Sequence, residues 1–277
     1  MDSANRHAHH LLPIRKGVRM ITHSYDPYTP EIISPRDMVK PIPGFPDTML
    51  VTFQPRTFAV FLDQYDTTPL ASLDLEEAPL SDSPGIMGRA YSFSHSGRVL
   101  GAALSPIGAP AAVALVETAI AYGTTTFVVF GTCGALVPEI ESGGLIVPTS
   151  AYRDEGTSYH YAPASDEIAI PSAAKTAAIL DALSVPHTLG KVWTTDAFFR
   201  ETQATTAKRV REGCVAVDME ASALAAVARF RQVAIHQFLY AADALTDQTW
   251  DPRLLGTLPA EPRARYLRIA AELAVRL

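Results

Sequence analysis

Apolar positions along the chain follow two different periods, and the two kinds of stretch predict strands and helices in turn. Residues 124–130 are β-branched, aromatic and uncharged, which is typical of a buried parallel strand. The Ala-rich residues 111–122 before them predict a helix that Gly123 ends. Residues 214–217 form a short apolar run, and apolar residues then recur at helical spacing, which predicts a strand followed by a helix.

The rest of the chain repeats this alternation. Further strands are predicted at residues 49–53, 90–93, 98–104, 145–148, 151–153, 191–195 and 233–240, and further helices at 58–65, 173–183 and 266–277. The strands at 90–93 and 98–104 are expected to form a hairpin that turns at Ser96-Gly97. Because strands and helices alternate, we predict an α/β single domain with a mixed, mostly parallel central sheet flanked by helices.

The first 46 residues do not share this periodicity. Residues 1–46 are rich in proline and polar residues, so we predict an N-terminal extension that wraps the domain or a neighbouring subunit, with the domain itself at 47–277. Arginine and lysine interrupt the extension and no apolar run of signal-peptide type follows. No stretch approaches the length of a membrane span. We therefore expect a cytoplasmic protein that does not bind membranes.

Composition and charge narrow the classes of partner. The chain has 277 residues, of which 48% are hydrophobic, enough for a sizeable core. Its net charge of −6 argues against nucleic acid or an anionic membrane as the main partner. Cys133 and Cys214 lie in apolar runs and are expected to be buried and unpaired. No group of Cys or His has the spacing of a metal site, so no metal is expected.

The stretch around Glu220 offers the first candidate chemistry. Asp218 follows the strand at 214–217 and is predicted to cap the next helix, because its side chain can accept hydrogen bonds from exposed amides. Glu220 would then lie in the first turn, where the helix dipole favours an anion. Its two oxygens match two neighbouring hydroxyl groups, such as those of a ribose. An acid at this position also serves simply to complement the dipole, and spacing alone does not decide between the two roles.

Several other side chains follow predicted strands, where ligands gather in α/β sheets. These are Arg56, Gly108, Thr132, Phe198 with Arg200, Glu220 and Asp243. Small turns with free amides suit an anion or a sugar, and an aromatic pair suits a flat ring. Burial would keep Asp243 protonated and able to donate to a ring nitrogen. The alternatives are a capping acid at Asp243, a turn residue at Thr132 and core packing at Phe198.

Four motifs, in this order along residues 98–244, resemble the nucleoside phosphorylase-I superfamily. They are Gly131-Thr132-Cys133-Gly134, Arg153-Asp154-Glu155-Gly156-Thr157-Ser158-Tyr159-His160-Tyr161-Ala162-Pro163, Thr195-Asp196-Ala197-Phe198-Phe199 and Val217-Asp218-Met219-Glu220-Ala221-Ser222-Ala223-Leu224. That superfamily includes the purine nucleoside and uridine phosphorylases and the methylthioadenosine/adenosylhomocysteine nucleosidases. The second motif resembles the uridine phosphorylase branch. The resemblance implies a three-layer fold, a catalytic domain at 47–277, and homo-oligomers such as dimers or hexamers.

The resemblance also implies roles for particular residues. The ribose would be held by Met219, Glu220 and Thr132. The base would lie against Phe198, Arg200 and Gly134, with Asp243 as the catalytic acid that protonates it. Phosphate, the co-substrate, would be bound by Arg56, Arg89, Gly108 and Thr132, with Arg89 reaching across a subunit boundary. No other cofactor is implied. The uracil-reading Gln and Arg pair of the family does not align after Phe199, which favours a purine.

Two departures from the family leave the nucleophile open. Phosphorylases of the family usually carry an arginine where this chain has Val129, and Phe53-Gln54-Pro55-Arg56 stands where they have a Gly-Asp-Pro loop. Phosphate needs compensating charge, which Arg56 and Arg89 could supply. Without it, water would be the nucleophile of a nucleosidase, with Glu155 or Glu201 as base. A third possibility is a protein that binds nucleosides without turnover.

Overall fold

The computed structural model describes residues 20–70, 90–245 and 249–277. Its strands are β1 (Thr48–Thr52), β2 (Thr67–Pro69), β3 (Ala90–His95), β4 (Arg98–Leu104), β5 (Thr126–Ala135), β6 (Leu145–Asp154), β7 (Glu167–Ala169), β8 (His187–Thr195), β9 (Cys214–Asp218), β10 (Ala234–Leu245) and β11 (Trp250–Asp251). Its α-helices are α1 (Pro35–Met38), α2 (Pro55–Gln64), α3 (Ala109–Tyr122), α4 (Ser158–Tyr161), α5 (Ala173–Ala182), α6 (Gln203–Arg211), α7 (Ala221–Arg231) and α8 (Ala260–Arg276). Single 3-10 turns lie at Ile21–His23 and Phe198–Arg200.

The strands of the described residues form one mixed sheet. Their order is β11-β10-β6-β8-β9-β5-β1-β4-β3-β2, with β7 paired to β6. Parallel pairs join β1 to β4 and β5, β5 to β10, β6 to β8, and β8 to β9. Because β10 also pairs with β5, the strands β10, β6, β8, β9 and β5 close into a ring. The predicted α/β fold with a mixed, mostly parallel sheet is confirmed.

Helices cover both faces of this sheet, and β5 shows how the sequence directs them there. Successive side chains of a strand point to opposite faces. Phe127 and Val129 pack with α3 and α7 on one face. Val128 and Phe130 pack with α2 and α8 on the other. A strand buried on both sides must be apolar throughout, which explains its uncharged sequence and gives the molecule its three layers.

The structure corrects the tight turn predicted at residues 131–134. Instead of turning, β5 continues in extended form to Ala135. On one side β10 pairs with it as far as Ala244 opposite Ala135, and on the other side β9 pairs with Gly134 and Ala135. Two flanking strands supply hydrogen-bond partners for the backbone on both sides, so the extended form is favoured despite the two glycines.

The end of β10 is corrected in the same way. The sequence predicts that this strand stops at residue 240 and that Asp243 follows it. The strand runs on to Leu245, with a register shift between Ala241 and Asp243 that leaves Asp243 opposite Gly134. Asp243 is therefore a residue of the sheet itself, close to the end of its strand.

Other local predictions agree with the structure only in part. The short elements β2, β7, β11, α1 and α4 are not predicted, because so few residues show no period, and α8 begins at Ala260 instead of residue 266. The β3–β4 hairpin is confirmed, with Ser96 and Gly97 at its turn at φ values of 48° and 78°. The two strands predicted at 145–148 and 151–153 are one strand, β6. Helix α6 is not predicted, because its sequence is mostly polar and lacks a clear apolar face; Thr202 Oγ1 caps it by accepting from the Thr205 amide at 3.4 Å.

Residues 20–46 lie against the α3 and α7 side of the domain. Val39 is part of the core there, and the Phe45 ring stacks on Tyr122 with centroids 5.2 Å apart. Arg231 of α7 binds Glu31 at 2.8 Å. The boundary predicted between residues 46 and 47 stays a prediction, since apolar contacts cross it.

The structure also bears on the two cysteines, the length of the helices and the arrangement of potential metal ligands. Cys133 and Cys214 are buried and unpaired, as predicted. Within the described residues, no helix has the length and apolar character needed to cross a membrane. The same part of the chain contains no group of three His, Cys, Asp or Glu residues arranged to hold a metal ion.

Candidate active site

Glu220 lies at the start of α7, where the chain leaves β9. Its carboxylate is buried, and its Oε1 accepts a hydrogen bond from the Gly108 amide at 2.7 Å. Gly108 precedes α3 and has a φ of 106°, a conformation that residues with a side chain rarely adopt. The contact joins the segment that follows β4 to the turn that follows β9. It therefore fixes the carboxylate where these two strands end.

Asp218 holds the turn that carries Glu220. Its Oδ2 accepts from the Glu220 and Ala221 amides at 3.0 and 2.7 Å, and its Oδ1 accepts from Thr194 Oγ1 at 2.7 Å. These bonds confirm the predicted capping role of Asp218, although Glu220 itself is the residue that precedes the helix. Burial raises the pKa of both carboxyl groups, and the charge of Asp218 raises the pKa of Glu220 further.

Glu155 stabilises the same helix start from β6 and its loop. Its Oε1 accepts from Ser222 Oγ at 2.8 Å, and its Oε2 accepts from the Ser158 amide at 2.9 Å. The Ser222 amide in turn donates to Thr194 Oγ1 at 3.1 Å. Both carboxylate oxygens of Glu155 thus have structural partners, which argues against a role as the base that activates water.

Asp243 is a half-buried acid within the sheet, opposite Gly134. Its Oδ2 accepts from Trp250 Nε1 at 2.8 Å. Burial raises the pKa of Asp243, while the bond from Trp250 opposes that rise. Burial and then the charge of Asp243 raise the pKa of Glu201 to about 7. Two interacting acids with raised pKa values are typical of sites of proton transfer.

Gly134 lies where β9, β5 and β10 meet, and the packing explains why it is a glycine. A Cβ atom at this position would lie 2.5 Å from Leu245 Cδ1, 3.0 Å from Val217 Cγ1 and 3.5 Å from Asp243 Oδ1. Any side chain here would push on the strands that carry the candidate acids. The contact of Gly134 with a base stays a prediction.

Thr132 lines a pocket of about 310 Å³ bounded by β5, the start of α2 and the segment before α8. Its Oγ1 accepts from Gln54 Nε2 at 2.9 Å. Arg56 lines the same pocket, and its Nη1 donates to the Gly256 carbonyl at 2.6 Å. The pocket therefore brings together two of the residues predicted to bind phosphate. Arg89, a third, lies outside the described residues.

Apolar side chains fill the positions where the resemblance implies phosphate-binding groups. Val129 is 2% exposed and packs in the core beside α3. Phe53 is buried, and its Cδ2 lies 2.9 Å from the position that a Cβ of Gly131 would take. The Phe53 ring is thus in direct contact with the Gly131 backbone. The positive charge for an anion has to come from elsewhere.

The aromatic loop after β8 is at the surface. Phe198 and Phe199 are 50% and 87% exposed, with ring centroids 3.9 Å apart, and Arg200 beside them is exposed. The loop is tied to the β6 loop by Asp196 Oδ2, which accepts from the Gly156 amide at 2.9 Å. This exposure excludes core packing for Phe198, but among the described residues no hydrogen bond or ion pair joins Phe198 or Arg200 to Glu220 or Asp243. Their role at a base stays a prediction.

The strand directions relate these groups to one another. Strand β9 runs antiparallel to β5 with Val217 opposite Gly134, so its end leads towards Thr132 and carries the half-buried Met219 and then Glu220. Asp243 adjoins Gly134 from the other side of β5. The ribose-binding and catalytic candidates thus flank the last four residues of one strand.

Three residues near these groups are not among those predicted from the sequence. Gln54 and Arg263 line the pocket with Thr132, and Trp250 donates to Asp243. Arg263 has one signal in the sequence, since it falls on the apolar face of α8 beside Tyr266 and Leu267. That signal does not reveal which strand α8 covers.

Comparisons with known proteins add to this geometry. A family model described as the phosphorylase superfamily matches residues 55–264. The guanosine phosphorylase of Halorubrum lacusprofundi is 30% identical over 142 residues, which cover 49% of this chain and 57% of that protein. The uridine phosphorylase of Treponema pallidum is 40% identical over 96 residues, 34% of this chain and 37% of that protein. The chain therefore matches less than two thirds of the length of either relative.

Solved structures agree on the fold. A uridine phosphorylase from Vibrio fischeri superposes with a TM-score of 0.68 over 85% of this chain and 93% of that one, at 21% sequence identity. A second structure of the uridine phosphorylase from that organism also gives a TM-score of 0.68, at 20% identity. At this level of identity the likeness establishes the three-layer architecture but does not identify the substrate.

Proposed function

Because this chain belongs to the phosphorylase superfamily, we propose that it cleaves the N-glycosidic bond of a nucleoside and transfers the sugar to inorganic phosphate. The products are a free base and ribose 1-phosphate. The observation that carries this proposal is the buried carboxylate of Glu220, which the Gly108 amide and the Asp218 turn hold at the ends of two strands. A preorganised acceptor of this kind suits the paired hydroxyls of a ribose.

Glu220 binds and orients the sugar. Its pKa is raised by burial, so part of the free protein carries it protonated near neutral pH. Hydroxyl groups that donate to the carboxylate favour its charged form. Ribose binding therefore releases a proton from the fraction of Glu220 that holds one, and fixes the sugar with its anomeric carbon exposed to attack.

Asp243 is the acid that assists the leaving base. The glycosidic bond breaks with its electron pair going to the base, while a phosphate oxygen forms the new bond to the anomeric carbon from the opposite face. A protonated Asp243 donates to the ring nitrogen of the base, and its raised pKa keeps the proton available. This favours a purine, whose imidazole ring presents such a nitrogen. Phe198, an exposed ring, supports the base by stacking.

The test measures release of the free base from inosine, guanosine, adenosine and uridine in buffer with and without phosphate. Chromatography separates and quantifies the products. Phosphorolysis of a purine nucleoside predicts product only when phosphate is present, together with ribose 1-phosphate in equal amount. Equal rates in phosphate-free buffer would instead identify a hydrolase. Tight binding without product would identify a nucleoside-binding protein. Faster cleavage of uridine than of any purine nucleoside would contradict the role given to Asp243.

We extend the proposal to assembly as a homo-oligomer, a dimer or a hexamer. Ile107 precedes Gly108, whose amide holds Glu220, and is 65% exposed. An apolar side chain at this place is suited to burial against a neighbouring subunit. Light scattering of the purified protein would then give a mass that is a multiple of 29.8 kDa. A mass equal to that of one chain at assay concentration contradicts this part of the proposal.

A further inference from the structure

Arg263, in the first turn of α8, is a buried cation that has no anionic partner among the residues the structure describes. It is 6% exposed, which is rare for an arginine unless a carboxylate pairs with it. Its Nε donates to the Leu258 carbonyl at 2.9 Å, and its Nη1 donates to Gln54 Oε1 and Thr57 Oγ1 at 3.3 and 3.2 Å. Within the described residues every partner of the guanidinium is neutral, and Nη2 has none.

The start of α8 adds to the uncompensated positive charge of Arg263. The start of an α-helix carries partial positive charge from its free amides, so a cation in the first turn is disfavoured and an anion is favoured. Arg263 is the fourth residue of the seventeen in α8. The one acid of this turn, Glu261, is exposed and does not line the pocket beside Arg263, so it does not neutralise the guanidinium there.

The pocket beside Arg263 is suited to hold that anion. Among the described residues its lining contains two guanidinium groups, those of Arg56 and Arg263, and no carboxylate. Its volume of about 310 Å³ is far larger than the roughly 30 Å³ that one water molecule occupies. Two like charges facing one cavity repel each other, and a bound anion would relieve that repulsion.

A hydrogen-bond network orients the polar groups of this pocket. Tyr240 Oη, Thr57 Oγ1 and Arg263 Nη1 all donate to Gln54 Oε1, which fixes the direction of the amide. Gln54 Nε2 then donates to Thr132 Oγ1. Since Thr132 already accepts a hydrogen bond on its oxygen, its own hydrogen is free to donate to an anion in the pocket.

We propose that Arg263 is a phosphate-binding residue, which holds inorganic phosphate in this pocket together with Arg56 and Thr132. The guanidinium thus supplies positive charge on the α2 and α8 side of β5, whereas Val129 and Phe53 pack on the α3 and α7 side and supply none. Because both hydrogens of Nη1 are used by Gln54 and Thr57, the phosphate oxygen nearest Arg263 accepts from Nη2, and another accepts from Thr132 Oγ1. The inference deepens the proposed function and rests on it for the identity of the anion.

Phosphate binding to the free protein is the first test. The melting temperature is measured at increasing concentrations of inorganic phosphate and constant ionic strength. The proteins compared are the wild type, Arg263→Gln, Arg263→Lys and Arg265→Gln. Arg265 lies on the same helix but is exposed, so it controls for the change in net charge. We expect about tenfold or more weaker phosphate binding in Arg263→Gln, an intermediate loss in Arg263→Lys, and wild-type binding in Arg265→Gln. Equal affinity in wild type and Arg263→Gln, or an equal loss in Arg265→Gln, overturns the proposal.

Kinetics separate this proposal from the proposed function. Arg263→Gln should raise KM for phosphate by about tenfold or more while KM for the nucleoside stays within about twofold. If phosphorolysis is normal in Arg263→Gln, the inference fails and the function stands. If no nucleoside is cleaved but phosphate still binds through Arg263, the function fails and the binding residue stands. A nucleoside monophosphate that stabilises the wild type more than phosphate does, and only through Arg263, would show that the occupant is a nucleotide and overturn the assignment.

A direct observation covers the case in which the Arg263 variants do not fold. Crystals of the wild type soaked in tungstate, a heavy tetrahedral oxyanion, should give an anomalous peak between the guanidinium groups of Arg263 and Arg56. A peak at another position, or none at this one, overturns the proposal without recourse to any variant.

Discussion

Glu220 is the residue whose replacement tests the site most directly. In Glu220→Gln the amide oxygen still accepts from the Gly108 amide, but the charge and one acceptor for the sugar are lost. Hydrogen bonds to a charged group contribute about 1.5–3 kcal/mol, so kcat/KM should fall about 10- to 100-fold or more. Steady-state kinetics measure the fall, and thermal unfolding should show no loss of stability, because a buried charge has been removed. Full activity in this variant would remove Glu220 from the sugar site.

The buried imidazole of His236 should make the stability of the protein depend on pH. It is 4% exposed and bonds Thr176 Oγ1 through Nδ1 at 3.0 Å. Burial, and then the charge of Lys175, lower its pKa from 6.5 to about 4. The unfolded chain therefore takes up a proton near pH 6.5 that the folded protein refuses until about pH 4, so acidification through this range favours unfolding.

The free energy of unfolding should consequently fall by about 2 kcal/mol between pH 7 and pH 5 on account of His236 alone. Urea unfolding of the wild type and of His236→Gln at both pH values isolates this contribution, since other acids titrate alike in both proteins. Glutamine keeps a polar partner for Thr176 but does not titrate. The same pH dependence in both proteins would show that His236 is not the source.

Sequence reasoning at this scale succeeds where the determinants are local. Asp218 and Glu220 are identified from the change of an apolar run into a helix, and Asp218 Oδ2 accepts from amides of that turn. The contact of Glu220 with Gly108 is not local and could not be predicted in this way. Arg263 could not be identified in this way. Its proposed role depends on the pocket that it forms with Gln54 and Thr132, which are more than 100 residues away in the chain. Only the docking of α8 on β5 and α2 shows that this arginine faces a pocket instead of solvent.

Strand β5 is predicted only in part from the sequence. Its apolar half is predicted, but its continuation through Gly131 and Gly134 is not, because glycine is typical of turns when its neighbours in space are unknown. The partners that keep it extended, β9 and β10, come about 80 and 100 residues later. The Gly-Thr-Cys-Gly motif is therefore an extended segment that two other strands approach closely.

Gly134→Ala tests that close approach. The new Cβ would lie 2.5 Å from Leu245 Cδ1 and 3.0 Å from Val217 Cγ1, so side chains on both sides have to move, and overpacking of this kind costs about 1–3 kcal/mol. Gly101→Ala is the matched control, because its Cβ would come nearest to the flexible end of Met49, at 3.1 Å. Chemical denaturation should show a clear loss of stability for the first variant and a smaller one for the second.

Leu245→Ala supplies the partner for a double-mutant cycle. Shortening Leu245 removes the atom that a Cβ at Gly134 would meet, so the double variant should be more stable than the sum of the two single losses implies. Strictly additive losses would mean that the strain arises at Val217 instead, on the β9 side of β5.

At the scale of the whole molecule, the family resemblance read from the motifs is confirmed, and so is the three-layer fold. The sequence predicts an extension that wraps the domain or a neighbouring subunit, but the side of the domain on which residues 20–46 lie could not be predicted, because these residues have no periodic pattern of their own. They follow the α3 and α7 side, where Phe45 stacks on Tyr122 and Glu31 binds Arg231. Their attachment depends on side chains that come from distant parts of the chain.

Arg231 links three parts of the molecule. It pairs with Glu31 of the N-terminal segment and with Glu117 of α3, each at 2.8 Å, and it extends from the last turn of α7. The Glu117 side chain is only 8% exposed, so removal of the arginine leaves a buried carboxylate without its counter-charge. Arg231→Met should therefore lower the free energy of unfolding by about 1–3 kcal/mol and release the N-terminal segment.

Hydrogen exchange followed by mass spectrometry can separate these two effects. Peptides from residues 20–46 should exchange faster in Arg231→Met than in wild type, while peptides from β5 should change only as far as global stability does. Arg229→Met is the matched control, since Arg229 is exposed on the same turn of α7. Because the segment lies apart from Glu220 and Asp243 in its contacts, base release should persist in both variants. Unchanged exchange at residues 20–46 in Arg231→Met would mean that the apolar contacts of Val39 and Phe45 alone hold the segment in place.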